Sequence, residues 1–173
     1  MSLVKKLILI CLLLSIASTS CYADSIETLG TIATVSLPIS GFVTTYIKKD
    51  KTGSKELMLS ILTTSSVTYA LKYTVRKKRP NGESHSFPSG HTALAFCSAE
   101  FLQKRYGWKY GLPAFLVASF VGYSRVYAKE HYIEDVIAGA SIGFLSSFLW
   151  VNKFQTTVFL EKSGFVFLIQ KHF

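Results

Sequence analysis

Residues 112–151 read LPAFLVASFVGYSRVYAKEHYIEDVIAGASIGFLSSFLWV. Two helix-length apolar runs, Leu112 to Tyr127 and Ile133 to Val151, flank a short charged connection through Lys129 and Glu130. Runs of this length read as helices, and so short a connection turns neighbouring helices antiparallel. The same grammar extends towards the N-terminus. Segments of about Leu29 to Ile47 (interrupted by Pro38), Leu57 to Tyr73 and Ser89 to Arg105 are separated by charged loops. The expected fold is all-α, an up-and-down bundle of about five helices over residues 24–153. Beyond it, Thr156–Leu160 and Phe165–Gln170 are β-prone runs around Lys162-Ser163-Gly164, read as a C-terminal hairpin over 154–173.

Residues 1–23 stand apart as a signal peptide. Lys5 and Lys6 make a basic start, Leu7 to Ile16 an apolar run too short for a comfortable membrane span, and Cys21-Tyr22-Ala23 a cleavage region ending at Ala23. Ser18 stands three residues before Cys21 in place of a large aliphatic, which argues against a lipoprotein signal. The mature chain then keeps Cys97 alone, read as a small buried apolar residue with no disulfide to make. The formal charge of +9 stays basic once Lys5 and Lys6 are removed, which suits an anionic substrate or an anionic lipid surface. No long basic stripe interleaves with aromatics and no standard nucleic-acid motif is present, so nucleic acid is not the expected partner. Nothing in the pattern implies a protein partner.

Three stretches carry chemistry. Lys72 is followed after six residues by Arg79-Pro80, then come Pro88-Ser89-Gly90-His91, then Ser124-Arg125 with His131 and Asp135 downstream. Fixed cations, a helix N-terminus and two histidines suit phosphoryl transfer, where positioning and charge neutralisation do most of the work. Four residues separate His131 from Asp135, so on a helix they share a face; a carboxylate on one ring nitrogen presents the other as nucleophile. The planar fork of Arg125 suits two phosphate oxygens. Ser89 is a natural N-cap, Gly90 allows close backbone approach, and His91 at the helix mouth can give a proton to a departing oxygen. Lys72, two turns back from Arg79, can reach inward. Arg76, Lys77 and Lys78 read as a solvated basic loop or one lying on headgroups, His85 as a loop residue and His172 as part of the tail. Three cations in the constellation would repel a divalent ion and can take over its neutralising role, so no metal and no other cofactor is expected.

These stretches resemble the tripartite signature of the type 2 phosphatidic acid phosphatase superfamily, which also includes bacterial nonspecific acid phosphatases and vanadium haloperoxidases. Every signature position is present in order between Lys72 and Asp135. One departure is the compact spacer, with only eight residues between Pro80 and Ser89. The resemblance implies an all-helical fold and metal-independent hydrolysis of phosphate esters through a phosphohistidine. It assigns Lys72, Arg79, Ser89, Gly90 and Arg125 to phosphate binding, His131 to nucleophilic attack, His91 to leaving-group protonation and Asp135 to partnering His131. A phosphorylated lipid is the expected substrate class, with small soluble phosphoesters and transfer to an acceptor hydroxyl as alternatives.

The bundle's solvent is undecided at this level. The segments approach membrane-spanning length, yet Thr63 to Ser66 and Thr68 crowd the second, and hydroxyl side chains serve helix contacts in membranes and in water alike. Helix alternation from an exported Asp24 gathers all three motif loops at the exported end. It leaves Lys48 to Lys55, Lys104 to Lys109 and Lys153 at the other. Membrane association is expected, with the site in the periplasm or at the periplasmic face of a bacterial inner membrane.

Overall fold

The structure, a computed structural model, describes residues 22–153 together with the backbone of 156–160 and 166–170. The predicted leader apart from Tyr22 and Ala23, the hairpin turn at 162–164 and His172 lie outside the described residues. Among the described residues five helices follow one another: α1 (Tyr22–Ile47), α2 (Lys51–Val75), α3 (Gly90–Tyr106), α4 (Trp108–Tyr127) and α5 (Ile133–Trp150). Thr156–Leu160 and Val166–Gln170 then pair as antiparallel strands β1 and β2, with Thr156 opposite Gln170.

The expected segments are all present, and three of the helices start earlier than the apolar runs alone suggested. Asp50 caps α2, its carboxylate accepting the Gly53 amide at 2.8 Å. Ser89 caps α3 as its position before the apolar run predicted. The first segment is corrected: α1 runs unbroken through Pro38. A proline inside a helix forfeits one main-chain bond, which packing can outweigh. Gly41, one turn on, lies hard against Leu57 of α2 and Phe101 of α3.

The bundle is organised around α3, which packs on all four other helices, whereas α4 and α5 scarcely meet. Facing pairs give the directions. Gly122 of α4 meets Thr92, and Thr68 of α2 meets Gly90, so both run antiparallel to α3. Gly139 and Gly143 of α5 rest on the backbone at Ser89 and Ala93, so α5 runs parallel to it. A methyl group on either glycine would strike a main-chain carbonyl of α3, and that absence of bulk lets the two backbones approach closely. Consequently the starts of α1, α3 and α5 and the ends of α2 and α4 share one end of the molecule.

The bundle packs an apolar core that includes Leu57, Phe101, Leu102 and Val121, and its outer surface is strongly apolar as well. Its interior holds small and hydroxyl side chains, among them Ser60, Thr64, Ala93, Ala99, Ala118 and Ser147. Large aliphatic and aromatic side chains point outward, including Ile39, Leu62, Leu116 at 66% exposure and Leu149 at 77%. Exposed tyrosines (Tyr69, Tyr73, Tyr123, Tyr127, Tyr132) ring the end described above, and Tyr46, Trp108 and Trp150 ring the other.

At that other end Arg105 is fully buried and fully engaged. Its Nε and Nη2 fork onto Asp50 at 2.8 and 2.7 Å, and Nη1 reaches Glu56 at 3.1 Å and the Asn152 carbonyl at 2.9 Å. The Tyr106 hydroxyl gives Asp50 a further bond at 2.8 Å. Burial alone would push the Asp50 carboxyl up, but the Arg105 fork, the Gly53 amide and the Tyr106 hydroxyl outweigh it and hold the group below its ordinary range. This network ties the α1–α2 turn, α2, α3 and the chain after α5 into one unit.

Candidate active site

Every predicted site residue lies at the first end. The last turn of α2 supplies Lys72, and the 76–88 loop supplies Arg79. Ser89, Gly90 and His91 open α3, Arg125 closes α4, His131 precedes α5 and Asp135 sits in its first turn. Two close approaches bring the walls together. Gly30 of α1 leaves room for Ser124 and Arg125, and the Ser89 amide donates to the Asp135 carbonyl at 3.0 Å. Lys72, Arg79 and Arg125 all act electrostatically on His91, and Lys72 and Arg79 on His131.

The cations are held in place with little counter-charge. Lys72 Nζ donates to the His85 carbonyl at 2.8 Å, which gives that half-buried loop residue an anchoring role through its backbone. Arg125 is buried, its Nε on the Ser124 hydroxyl at 3.1 Å and its Nη2 on the Glu27 carbonyl. Neither has a carboxylate within ion-pair distance among the described residues. Arg79 differs: Nη1 meets Glu130, which also accepts from Asn81 at 3.1 Å, and Glu83 at 3.1 Å. Its Nε is buried without a hydrogen-bond partner. That donor, on a guanidinium held by two carboxylates, is a group that can meet an anion.

His131 and Asp135 depart from the expected arrangement. His131 is not on the helix, because Tyr132 is the N-cap and α5 starts at Ile133. Asp135, at the third helical position, turns back to accept the Tyr132 amide at 3.0 Å, and that cap excludes His131 from the helical turn. The imidazole Nδ1 and the carboxylate Oδ2 are 3.9 Å apart, beyond a hydrogen bond. Asp135 is occupied instead by Lys77 at 2.8 Å and by the Ser86 hydroxyl at 2.5 Å. Lys77 therefore corrects its solvated reading: it bridges Asp135 and Glu134 and lies 4.4 Å over the Tyr132 ring. Arg76 and Lys78 are exposed, as that reading held. Lys77, Ser86 and Glu130 carry no signal in sequence spacing, since their partners lie about fifty residues away along the chain.

His131 itself is 2% exposed. Burial, reinforced by the Lys72 and Arg79 charges, pushes its imidazole down to about 4, against the pull of Asp135 and a bond to the Ser86 backbone. At neutral pH the ring is uncharged and keeps a lone pair, in a setting where positive charge surrounds the space in front of it. That combination of neutral imidazole, fixed cations and helix N-terminus binds a tetrahedral oxyanion and offers it a nucleophile. Among the described residues, no group of three or more His, Cys, Asp or Glu side chains is placed to hold a metal ion.

Residues 54–159 match the PAP2 superfamily. The chain is 35% identical over 106 residues to a lipid A 1-phosphatase of Porphyromonas gingivalis, covering 58% of this chain and 23% of that protein. It is 34% identical over 131 residues to a lipid A 4'-phosphatase of Helicobacter pylori, covering 69% of this chain and 66% of that protein. The chain thus spans less than two thirds of either relative. The crystal structure of Aquifex aeolicus LpxE superposes with a TM-score of 0.66 at 25% identity, covering 82% of this chain and 92% of that one.

Proposed function

The chain belongs to the PAP2 superfamily, and from that premise we propose that it is a membrane-bound phosphatase of lipid phosphates working through a phosphohistidine. The observation that carries the reading is a buried His131 set at the same end as Lys72, Arg79 and Arg125, at the mouth of α3. The Nε2 lone pair of His131 attacks phosphorus. Lys72, Arg79, Arg125, the Ser89 hydroxyl and the Gly90 amide hold the non-bridging oxygens, whose charge grows more concentrated around them in the transition state. His91 gives a proton to the bridging oxygen as the P–O bond breaks, and the phosphate's own negative charge favours the protonated ring that this requires. In the second half His91 takes a proton from water, the water oxygen attacks phosphorus, the P–N bond breaks and phosphate departs.

The lipid part of the reading rests on the apolar outer surface of the bundle. Exposed aliphatic side chains between two rings of tyrosine and tryptophan suit a hydrocarbon layer bounded by two interfaces. Among the described residues, two helices, Ser25–Ile47 and Ile133–Trp150, are long and apolar enough to cross a membrane. Apart from the cations of the site and its loops, the described basic residues (Lys48, Lys49, Lys51, Lys55, Lys104, Lys109, Lys153) lie at the Arg105 end, which supports a cytoplasmic position for that end and a periplasmic one for the site. The named relatives point to lipid A phosphates as the first substrates to try. Purified protein in detergent, offered lipid A, phosphatidic acid, phosphatidylglycerophosphate, a polyprenyl pyrophosphate and a soluble monoester, should release phosphate preferentially from a lipid. Release should persist in chelator. Preference for the soluble ester, or activity restored by metal after chelation, would refute the reading.

A further inference from the structure

Ser86 is fully buried three residues before Ser89, and its hydroxyl stands between the two groups expected to bond one another. Its Oγ is 2.5 Å from Asp135 Oδ2 and 3.5 Å from His131 Nδ1, while carboxylate and imidazole are 3.9 Å apart. An ionised carboxylate can only accept, so the Ser86 proton lies towards Asp135 and the oxygen's lone pairs remain to accept from the ring. An imidazole facing a lone pair turns an N–H towards it. We propose that Ser86 is a positioning residue for the reaction: its hydroxyl, anchored on Asp135, accepts the Nδ1–H of His131 and so fixes the tautomer and aim of the nucleophile.

Lys77 completes the arrangement by clamping the other carboxylate oxygen, Oδ1, at 2.8 Å. Held there and by the Tyr132 amide, Asp135 is not free to swing across and replace the hydroxyl. The other charges facing the ring, Lys72 from α2 and Arg79 from the loop, are donors, so neither can accept its N–H. The Ser86 carbonyl faces the same ring, which makes this one residue the source of both its nearest acceptors. As Nε2 bonds to phosphorus and positive charge builds on the ring, Nδ1–H becomes a stronger donor. The hydroxyl then passes that charge on to Asp135 through its own O–H.

The inference rests on His131 being the nucleophile, and the experiment separates the two. Ser86→Ala and Ser86→Cys are compared with the wild type and with His131→Ala in steady-state phosphate release. Nitrogen-15 NMR of histidine-labelled protein in detergent reads the tautomer. The cysteine variant keeps the volume of serine but is a poor hydrogen-bonding group, so it serves if alanine fails to fold. Expected are a kcat lowered roughly tenfold to a hundredfold with KM little changed, an Nδ1–H tautomer in the wild type and a mixed population in the variants. Wild-type kcat in either variant while His131→Ala is inactive, or an Nε2–H tautomer in the wild type, overturns the role of Ser86 alone. An active His131→Ala overturns the reading beneath it.

Discussion

The bundle buries arginine at both ends and treats the charge in opposite ways. Arg105 is saturated: two carboxylates, a main-chain carbonyl and a shared tyrosine partner enclose it within the fold. At the far end, Lys72 and Arg125 rest on backbone carbonyls with no carboxylate in ion-pair distance among the described residues, while Arg79 pairs with Glu130 and Glu83 through Nη1 alone. Charge neutralised from within holds helices together, whereas the charge of Lys72 and Arg125, held rigid by carbonyls, is available to a ligand.

The sharpest way to break this comparison is to exchange the consequences. His131→Ala should lower kcat by roughly ten thousandfold or more, as loss of a nucleophile does, while thermal unfolding in detergent barely changes. Arg105→Met should do the reverse. It strands Asp50 and Glu56 in a buried setting, costing about 3–5 kcal/mol of stability, with phosphate release per folded molecule preserved. A large loss of kcat in Arg105→Met, measured on the folded fraction, would merge the two ends into one functional unit.

Acid separates them more gently. The folded-state value of His131, about 4, lies below its ordinary 6.5, so protonation is disfavoured in the native protein. Its contribution to stability is complete above pH 6.5 and is lost as pH falls towards 4. The acid limb of kcat/KM should therefore lie far below that of an ordinary imidazole, with activity held from pH 7 to about 5. Asp50 also has a lowered value, so its contribution is present above the ordinary carboxylate range and fails only on stronger acidification. A pH–activity profile set beside a pH–melting profile should resolve the two in that order. The smallest effect is reserved for Glu130→Gln. It removes the one buried-side carboxylate that stands in for a ligand on Arg79, and inhibition by inorganic phosphate should tighten by roughly twofold to fivefold.

Much of this was legible in the residues, and the gaps share a cause. Apolar runs between charged loops located all five helices, and Ser89 announced its cap, because both are local facts of the chain. Alternation of helix direction placed the motif loops together for the same reason. Pro38 misled because a proline's local cost says nothing of the packing at Gly41 that outweighs it. Helical spacing also misplaced His131, since the Tyr132 amide and Asp135 carboxylate close the cap first. Lys77 looked solvated because its partners, Glu134 and Asp135, are remote in sequence. Asp50, Glu56 and Arg105 went unnoticed for that reason too: a saturated ion network leaves no periodic trace.

The scant meeting of α4 and α5 has a geometric corollary. Both α4 and α5 pack far more on α3 than on one another, so α3 is the common axle of the reaction centre. Inserting a single residue between His91 and the Phe101 contact would turn that axle by about 100° and slide it about 1.5 Å. Both walls would lose register with His91 in one step, whereas an extra residue in the exposed 81–84 turn would leave the axle untouched.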